Sequence, residues 1–244
     1  MDMLDGYPSW NAFIKDGAIK VVKKSRGTSV YIWQGSGRSF VLKYYKTLPF
    51  PIWWPWLHGR PRRVWPIGTM LEEAGIPVPA HIALVRPSIG VTVIVLEYIM
   101  DAVTLHAFVA AKRAGEVHFA SLGRLVGRLH RSGVVHGDLK WSNIMVNGPD
   151  IPEGAPYFHL VDLDGAFWFK CSDTEAMARD VARFLCDGIK ERVETSLLRA
   201  FRHGYHELWP VDPNFEMEVD KRLKGLLKRK MIPSTASYPQ NLYV

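Results

Sequence analysis

Three polar side chains near the middle of the chain are of the kinds, and at the spacing, that move a phosphoryl group. In Val134-Val135-His136-Gly137-Asp138-Leu139-Lys140-Trp141-Ser142-Asn143-Ile144-Met145-Val146, a carboxylate (Asp138) and an amide (Asn143) stand five positions apart between two apolar runs. Nineteen residues beyond Asn143 comes a second acidic cluster, Val161-Asp162-Leu163-Asp164-Gly165. Phosphoryl transfer asks little covalent work of a protein. It needs a carboxylate at the acceptor hydroxyl, a metal across the phosphates and cations on the departing charge. Asp138 can hold the hydroxyl and Lys140 can meet the γ-phosphate. Asn143 and Asp162 offer the hard oxygen ligands that Mg2+ takes alongside phosphate oxygens.

The elements that must position these groups are legible on both sides. Leu122, Leu125, Val126 and Leu129 recur at i, i+3, i+4 and i+7, so Phe119 to Arg131 is predicted to be an amphipathic helix that stops at Gly133 and delivers the chain to Val134. Downstream, Ala176 to Ile189 and Glu191 to Leu208 read as helices, which makes the second half mainly α. Upstream, Ile19 to Val22, Val30 to Trp33 and Ser39 to Tyr45 form a predicted three-strand meander, with turns at Arg26-Gly27-Thr28-Ser29 and Gly35-Ser36-Gly37. Two further strands are predicted at His81 to Val85 and Val91 to Leu96. Lys43 ends a Val-Leu run, where it is either a solvated edge lysine or an inward cation that meets an anion.

Between these strands, Phe50, Trp53, Trp54, Trp56 and Trp65 interleave with four prolines and with Arg60, Arg62 and Arg63. The prolines argue against a regular helix before Pro61, so a short helix is placed at Ile67 to Gly75. The aromatic stretch suits a lipid–water interface or a sugar-phosphate platform, or else folds back on the core. Near the end, Lys221 to Lys230 carries six basic residues with Leu223, Leu226 and Leu227 on one side. That pattern fits either an anionic lipid surface or, as the preferred reading, a solvated last helix whose leucines pack inward.

Composition bounds the rest. The 244 residues are 48% hydrophobic, enough for a substantial core, and 31 Lys and Arg against 24 Asp and Glu leave a net charge of +7 that favours an anionic partner. Two cysteines, Cys171 and Cys186, make neither a disulfide framework nor a zinc site, which fits a reducing cytoplasm. The N-terminus has no basic start or apolar h-region, and the run Val91 to Met100 is about half of what spans a bilayer. No motif that reads nucleic acid is present, so no nucleic-acid partner is expected.

The segments His136 to Asn143 and Val161 to Gly165 resemble the catalytic loop and metal-binding segment of the protein-kinase-like fold. Together with Lys43, Arg62-Arg63-Val64-Trp65, and Leu71 through Gly75-Ile76-Pro77-Val78-Pro79, the chain is similar to the lipopolysaccharide core kinase family acting on Kdo or heptose. The resemblance covers roughly residues 20 to 190, and His-Gly-Asp in place of His-Arg-Asp resembles kinases of small molecules and sugars. It implies an α+β, bilobal fold: a small antiparallel β-sheet lobe with one helix, residues 1–97, a larger mainly α-helical catalytic lobe, residues 98–232, and a tail, residues 233–244.

The resemblance further implies that Asp138 is the catalytic carboxylate, that Asn143 and Asp162 hold Mg2+, and that Lys43 binds the α- and β-phosphates of ATP. Gly27, Thr28 and Ser29 would then cover the nucleotide, and the backbone of Glu97 to Ile99 would face adenine. Asp180 resembles the buried acid that braces the catalytic loop. The implied acceptor is a lipid-linked core oligosaccharide, met by a cytoplasmic protein at an anionic surface, the inner face of the inner membrane. Two departures stand out. Val64 occupies the place of the helix glutamate that pairs with the strand lysine, leaving Glu72 or Glu73 to substitute, and no Ala-Pro-Glu signature is present. The alternatives are an atypical protein kinase, a small-molecule phosphotransferase of the same fold, or a nucleotide-binding pseudokinase scaffold.

Overall fold

The computed structural model describes residues 9–25, 27–46, 59–147, 158–169 and 173–230. The chain divides into two compact units, Met1–Glu73 with Val78–Met100, and Ala74–Pro77 with Asp101–Val244.

The first unit is built on a five-stranded antiparallel sheet of β1 (Ala18–Lys24), β2 (Thr28–Gly35), β3 (Arg38–Lys46), β4 (His81–Ser88) and β5 (Val91–Glu97), in the order β1-β2-β3-β5-β4. The predicted meander and later strand pair are present, each with slightly longer strands. A helix that the sequence reading did not anticipate, α1 (Trp10–Asp16), closes one face of this sheet. Its N-terminus is capped by the Ser9 hydroxyl, which accepts from the Ala12 N–H at 3.2 Å. Phe13 stacks on Trp33 at 4.3 Å, and the Trp33 indole donates to the Phe13 carbonyl at 3.0 Å. Seven residues are too few for a helix to hold on propensity alone; burial of Phe13 with Phe40, Leu42, Val93 and Val95 stabilises it.

Helix α2 (Arg60–Glu73) corrects the prediction, since it begins well before Ile67. Pro61 lies in the first turn, where its missing N–H would have had no helical partner anyway. Pro66 removes one internal hydrogen bond, yet the helix continues through it because Val64, Ile67 and Leu71 bury a continuous apolar face. Of the aromatic stretch, residues 47–58 lie outside the described residues, as do Cys171 and the predicted tail.

The second unit contains α3 (Leu105–Ala110), α4 (Glu116–Arg131), α5 (Thr174–Lys190), α6 (Thr195–His206) and α7 (Pro213–Arg229). Helix α4 packs on α6, and α5 packs on α7. Short strands frame the central segment: β7 (Val134–Val135) pairs with β10 (Phe167–Trp168), while β8 (Ile144–Val146) pairs with β6 (Val103–Thr104) and β9 (Phe158–Leu160). The ladder pair Val146 with Phe158 brings together the two ends of the segment that contains residues 148–157, which lie outside the described residues. Helix α7 starts at Pro213, capped by Asp212, and its Phe215, Val219 and Leu223 are buried, so the leucine side of the basic segment packs inward. Three of its cations are paired: Lys221 and Arg222 with Glu218, and Lys230 with Asp187. Among the described residues no helix is long and apolar enough to cross a membrane.

Candidate active site

After β7 the chain leaves the sheet and must satisfy its backbone by other means. Helix α5 supplies the acceptors. Asp180, wholly buried, accepts the N–H of His136 at 2.6 Å and of Gly137 at 2.9 Å, the bracing role that the resemblance implied. Two turns further along the helix, Asp187 accepts the N–H of Trp141 at 3.0 Å. Between them, the Arg183 guanidinium pairs with Oδ1 of Asp138. Positions 180, 183 and 187 fall at i, i+3 and i+7 and share one helical face, so a single element holds both ends of the loop and the carboxylate between them.

The loop's glycine has a steric reason. Gly137 has φ of +75°, and a Cβ placed there would lie 2.1 Å from the carbonyl oxygen of Gly165. The left-handed backbone and the close approach of the two segments both exclude a side chain. Beside it, His136 donates from Nε2 to the Val161 carbonyl at 3.0 Å, a second tie between the segments. Asp162 itself has φ 63° and ψ 59°, a left-handed conformation that strains a non-glycine residue by about 1–2 kcal/mol.

Asp138 is engaged on both oxygens. Oδ2 receives the Lys140 ammonium at 2.9 Å and the Asn143 amide N–H at 3.3 Å; the same amide donates to the Asp138 carbonyl at 3.0 Å. The Asp138 side chain is 30% exposed and that of Lys140 41%, so the cluster reaches solvent. With its NH2 turned to Asp138, the Asn143 amide presents its oxygen elsewhere. The Val161 N–H donates to the Asn143 carbonyl at 2.9 Å, which sets Asp162 directly after a residue bonded to Asn143. An amide oxygen and a carboxylate on two tied segments match the hard, sparse ligand set that magnesium takes when phosphates complete its shell.

In the first unit, Lys43 stands on β3 between β2 and β5 and is 7% exposed, so it is no solvated edge residue. Its ammonium lies 5.8 Å from the Tyr45 ring centroid. Val64, at the place of the missing helix acid, is buried as an apolar contact of α2. Glu72 is committed to His81: one carboxylate oxygen accepts the His81 backbone N–H at 2.8 Å and its Nδ1–H at 2.7 Å. Burial pushes the His81 pKa down, outweighing the upward pull of Glu72, and the charge of Lys43 adds to the fall.

Of the predicted phosphate turn, Gly27, Thr28 and Ser29 are among the described residues. Thr28 and Ser29 already belong to β2; the Thr28 N–H donates to the Ser25 hydroxyl at 3.3 Å, and the Gly27 carbonyl accepts the Lys46 N–H at 3.0 Å. At the end of β5, the Glu97 N–H donates to the Ala80 carbonyl at 2.9 Å while its carboxylate accepts from the Ala80 N–H at 3.3 Å; Ile99 is half-buried.

A sheet-based unit, a helical unit and a loop held from behind by a buried acid define the protein-kinase-like class. A solved structure of WaaP in complex with acyl carrier protein shares that fold, with a TM-score of 0.66 over 87% of this chain and 90% of that one, at 18% identity. The chain belongs to the lipopolysaccharide kinase (Kdo/WaaP) family, whose model matches residues 60–201. The match spans Asp138, Asn143, Asp162 and the α5 face, while Lys43 and residues 27–29 precede it. A 3-deoxy-D-manno-octulosonic acid kinase of Xylella fastidiosa (strain M12) is 31% identical over 135 residues, covering 54% of this chain and 51% of that protein. A probable bifunctional tRNA threonylcarbamoyladenosine biosynthesis protein of Methanosarcina acetivorans is 35% identical over 109 residues, 44% of this chain and 18% of that protein. The chain thus spans about half the length, or less, of these curated relatives.

Arg183 and Asp187 were missed by sequence reasoning. Their shared face with Asp180 was the available signal, but it acquires meaning only once the loop is known to lie against that face.

Proposed function

We propose that this chain is an ATP-dependent kinase that phosphorylates a hydroxyl of a lipopolysaccharide core sugar, with 3-deoxy-D-manno-octulosonic acid as the acceptor. The carrying observation is the partly exposed Asp138 carboxylate, held by Arg183, Lys140 and Asn143 on a loop braced by Asp180, within the span of the family match. Family membership and the octulosonic acid kinases among its relatives support the acceptor.

In this reading the acceptor hydroxyl donates to Asp138, which takes its proton as the hydroxyl oxygen bonds to the γ-phosphorus and the bond from that phosphorus to the β,γ-bridging oxygen breaks, releasing ADP. Lys140 stabilises charge on the transferred group. Lys43 binds the α- and β-phosphates, residues 27–29 cover the nucleotide, and Glu97 to Ile99 border the adenine. Asn143 and Asp162 would hold Mg2+, which supplies neutralisation of phosphate charge. The lipid-linked acceptor would bring the protein to the inner face of the inner membrane, where its net charge of +7 favours anionic lipid.

The test is transfer of labelled γ-phosphate to core oligosaccharide precursor. Asp138→Asn is expected to lower the rate by about 10²–10⁴-fold with nucleotide affinity kept; unchanged turnover overturns the assignment. One observation, Val64 in place of the helix acid, favours a nucleotide-binding scaffold. That reading predicts no transfer and no Mg2+-dependent stabilisation by ATP.

A further inference from the structure

Both oxygens of the Asp138 carboxylate are occupied, Oδ1 by Arg183 and Oδ2 by Lys140 and Asn143. These three donors take three of the carboxylate's roughly four acceptor sites, so an acceptor hydroxyl at Oδ1 shares that oxygen with Arg183, and the paired carboxylate is a weaker base than one the guanidinium has left. Lys140 and Asn143 both belong to the loop itself, whereas Arg183 projects from α5. Its side chain is 35% exposed, so the guanidinium has a route to solvent, while its Nε is buried and has no hydrogen-bond partner among the described residues. A guanidinium presents five donors in a planar fork that matches a carboxylate.

We propose that Arg183 selects an acidic sugar by exchanging the Asp138 carboxylate for the carboxylate of the acceptor. This rests on the sugar-kinase reading above and assigns its specificity to a residue of α5. The exchange replaces one charged acceptor by another, so the guanidinium stays satisfied while Oδ1 of Asp138 becomes free for the hydroxyl. A neutral sugar offers no replacement, so Asp138 either stays paired and less basic or gives up Arg183 without compensation. The same residue therefore favours an acceptor with a carboxylate near the reacting hydroxyl and resists one without. Asp180 and Asp187 hold the loop to the helix that carries Arg183, which keeps the fork and Asp138 in fixed relation during the exchange.

The experiment uses the full chain, ATP, and two acceptors, the methyl glycoside of 3-deoxy-D-manno-octulosonic acid and the same glycoside with its carboxyl group as the neutral methyl ester. Wild type is expected to prefer the acid by roughly 10–100-fold in kcat/KM, the range that one charge-assisted contact supplies. Arg183→Gln is expected to bring that ratio to about 1 by raising KM for the acid, with KM for ATP unchanged. Arg183→Lys keeps the charge without the fork, and its ratio is expected to fall between the two; it also serves if the glutamine variant does not fold. An unchanged ratio in a folded variant, with kcat lowered equally for both acceptors, overturns the exchange and leaves Arg183 as a positioning residue for Asp138. Equal use of acid and ester by wild type overturns the inference alone, whereas transfer to neither overturns the sugar-kinase reading and the inference with it.

Discussion

Around Asp138 the backbone hangs on carboxylates that reach in from one helix, while around Lys43 the sheet ladder satisfies the backbone and only the side chains need arranging. The difference follows from hydrogen-bond accounting. A loop buried behind a site has N–H groups with no neighbouring strand to accept them, so acids must be placed behind it. A central strand such as β3 has partners on both sides, and Lys43 needs only register to reach its position. Single substitutions should consequently damage the Asp138 region far more than the surroundings of Lys43.

The largest effect is expected from Asp180→Ala. It leaves the His136 and Gly137 N–H groups buried without acceptors, for a loss of about 2–5 kcal/mol in denaturant unfolding. A midpoint that does not move would erase the contrast between the regions. Gly137→Ala should follow, at roughly 1–3 kcal/mol, because a left-handed backbone and the Gly165 carbonyl both oppose a side chain. Its activity should fall more than its stability, since relief of the contact moves Asp138.

In the first unit, Glu72→Gln is expected to cost only about 0.5–1.5 kcal/mol, because the amide oxygen still accepts from His81 and the strand ladder is untouched. A loss as large as that of Asp180→Ala would show that this pair, too, organises its unit.

The smallest effect is in pH, and histidines of both units contribute. Burial lowers the pKa of His81 in the first unit and of His118 and His206 in the second; Nδ1 of His118 accepts the Gly115 N–H and closes the start of α4. With the folded value depressed, the unfolded chain takes up protons first as pH falls. Stability is therefore full above about 6.5 and declines below it. Melting temperature should fall between pH 7.5 and 5.5, and His118→Asn should flatten part of the slope. A wild-type profile that rises towards pH 5.5 would contradict the placement of these histidines.

The parts legible in the sequence were those whose meaning is local. Asp138, Asn143 and Asp162 were singled out by residue type and spacing, and the structure ties their segments together; the strands were found by alternation and α4 by its apolar period, because each pattern is completed within a few residues. The start of α2 was misplaced because proline was weighed as a breaker without regard to its place in the first turn, where it breaks nothing. Helix α1 was invisible for the opposite reason. Its single buried ring, Phe13, has no periodicity to display, and the helix exists because Trp33 and Phe40 lie across from it.

By itself the amino-acid sequence determined which chemical groups this protein carries in its loop and which elements lead into and out of it, since hydrophobic period and residue type act over short range. Only the tertiary structure decided what those groups face. Arg183 meets Asp138 across 45 residues of chain, and Asp187 meets Trp141 across 46. Both contacts arise from the packing of α5 behind the loop, a long-range arrangement that local sequence patterns do not encode.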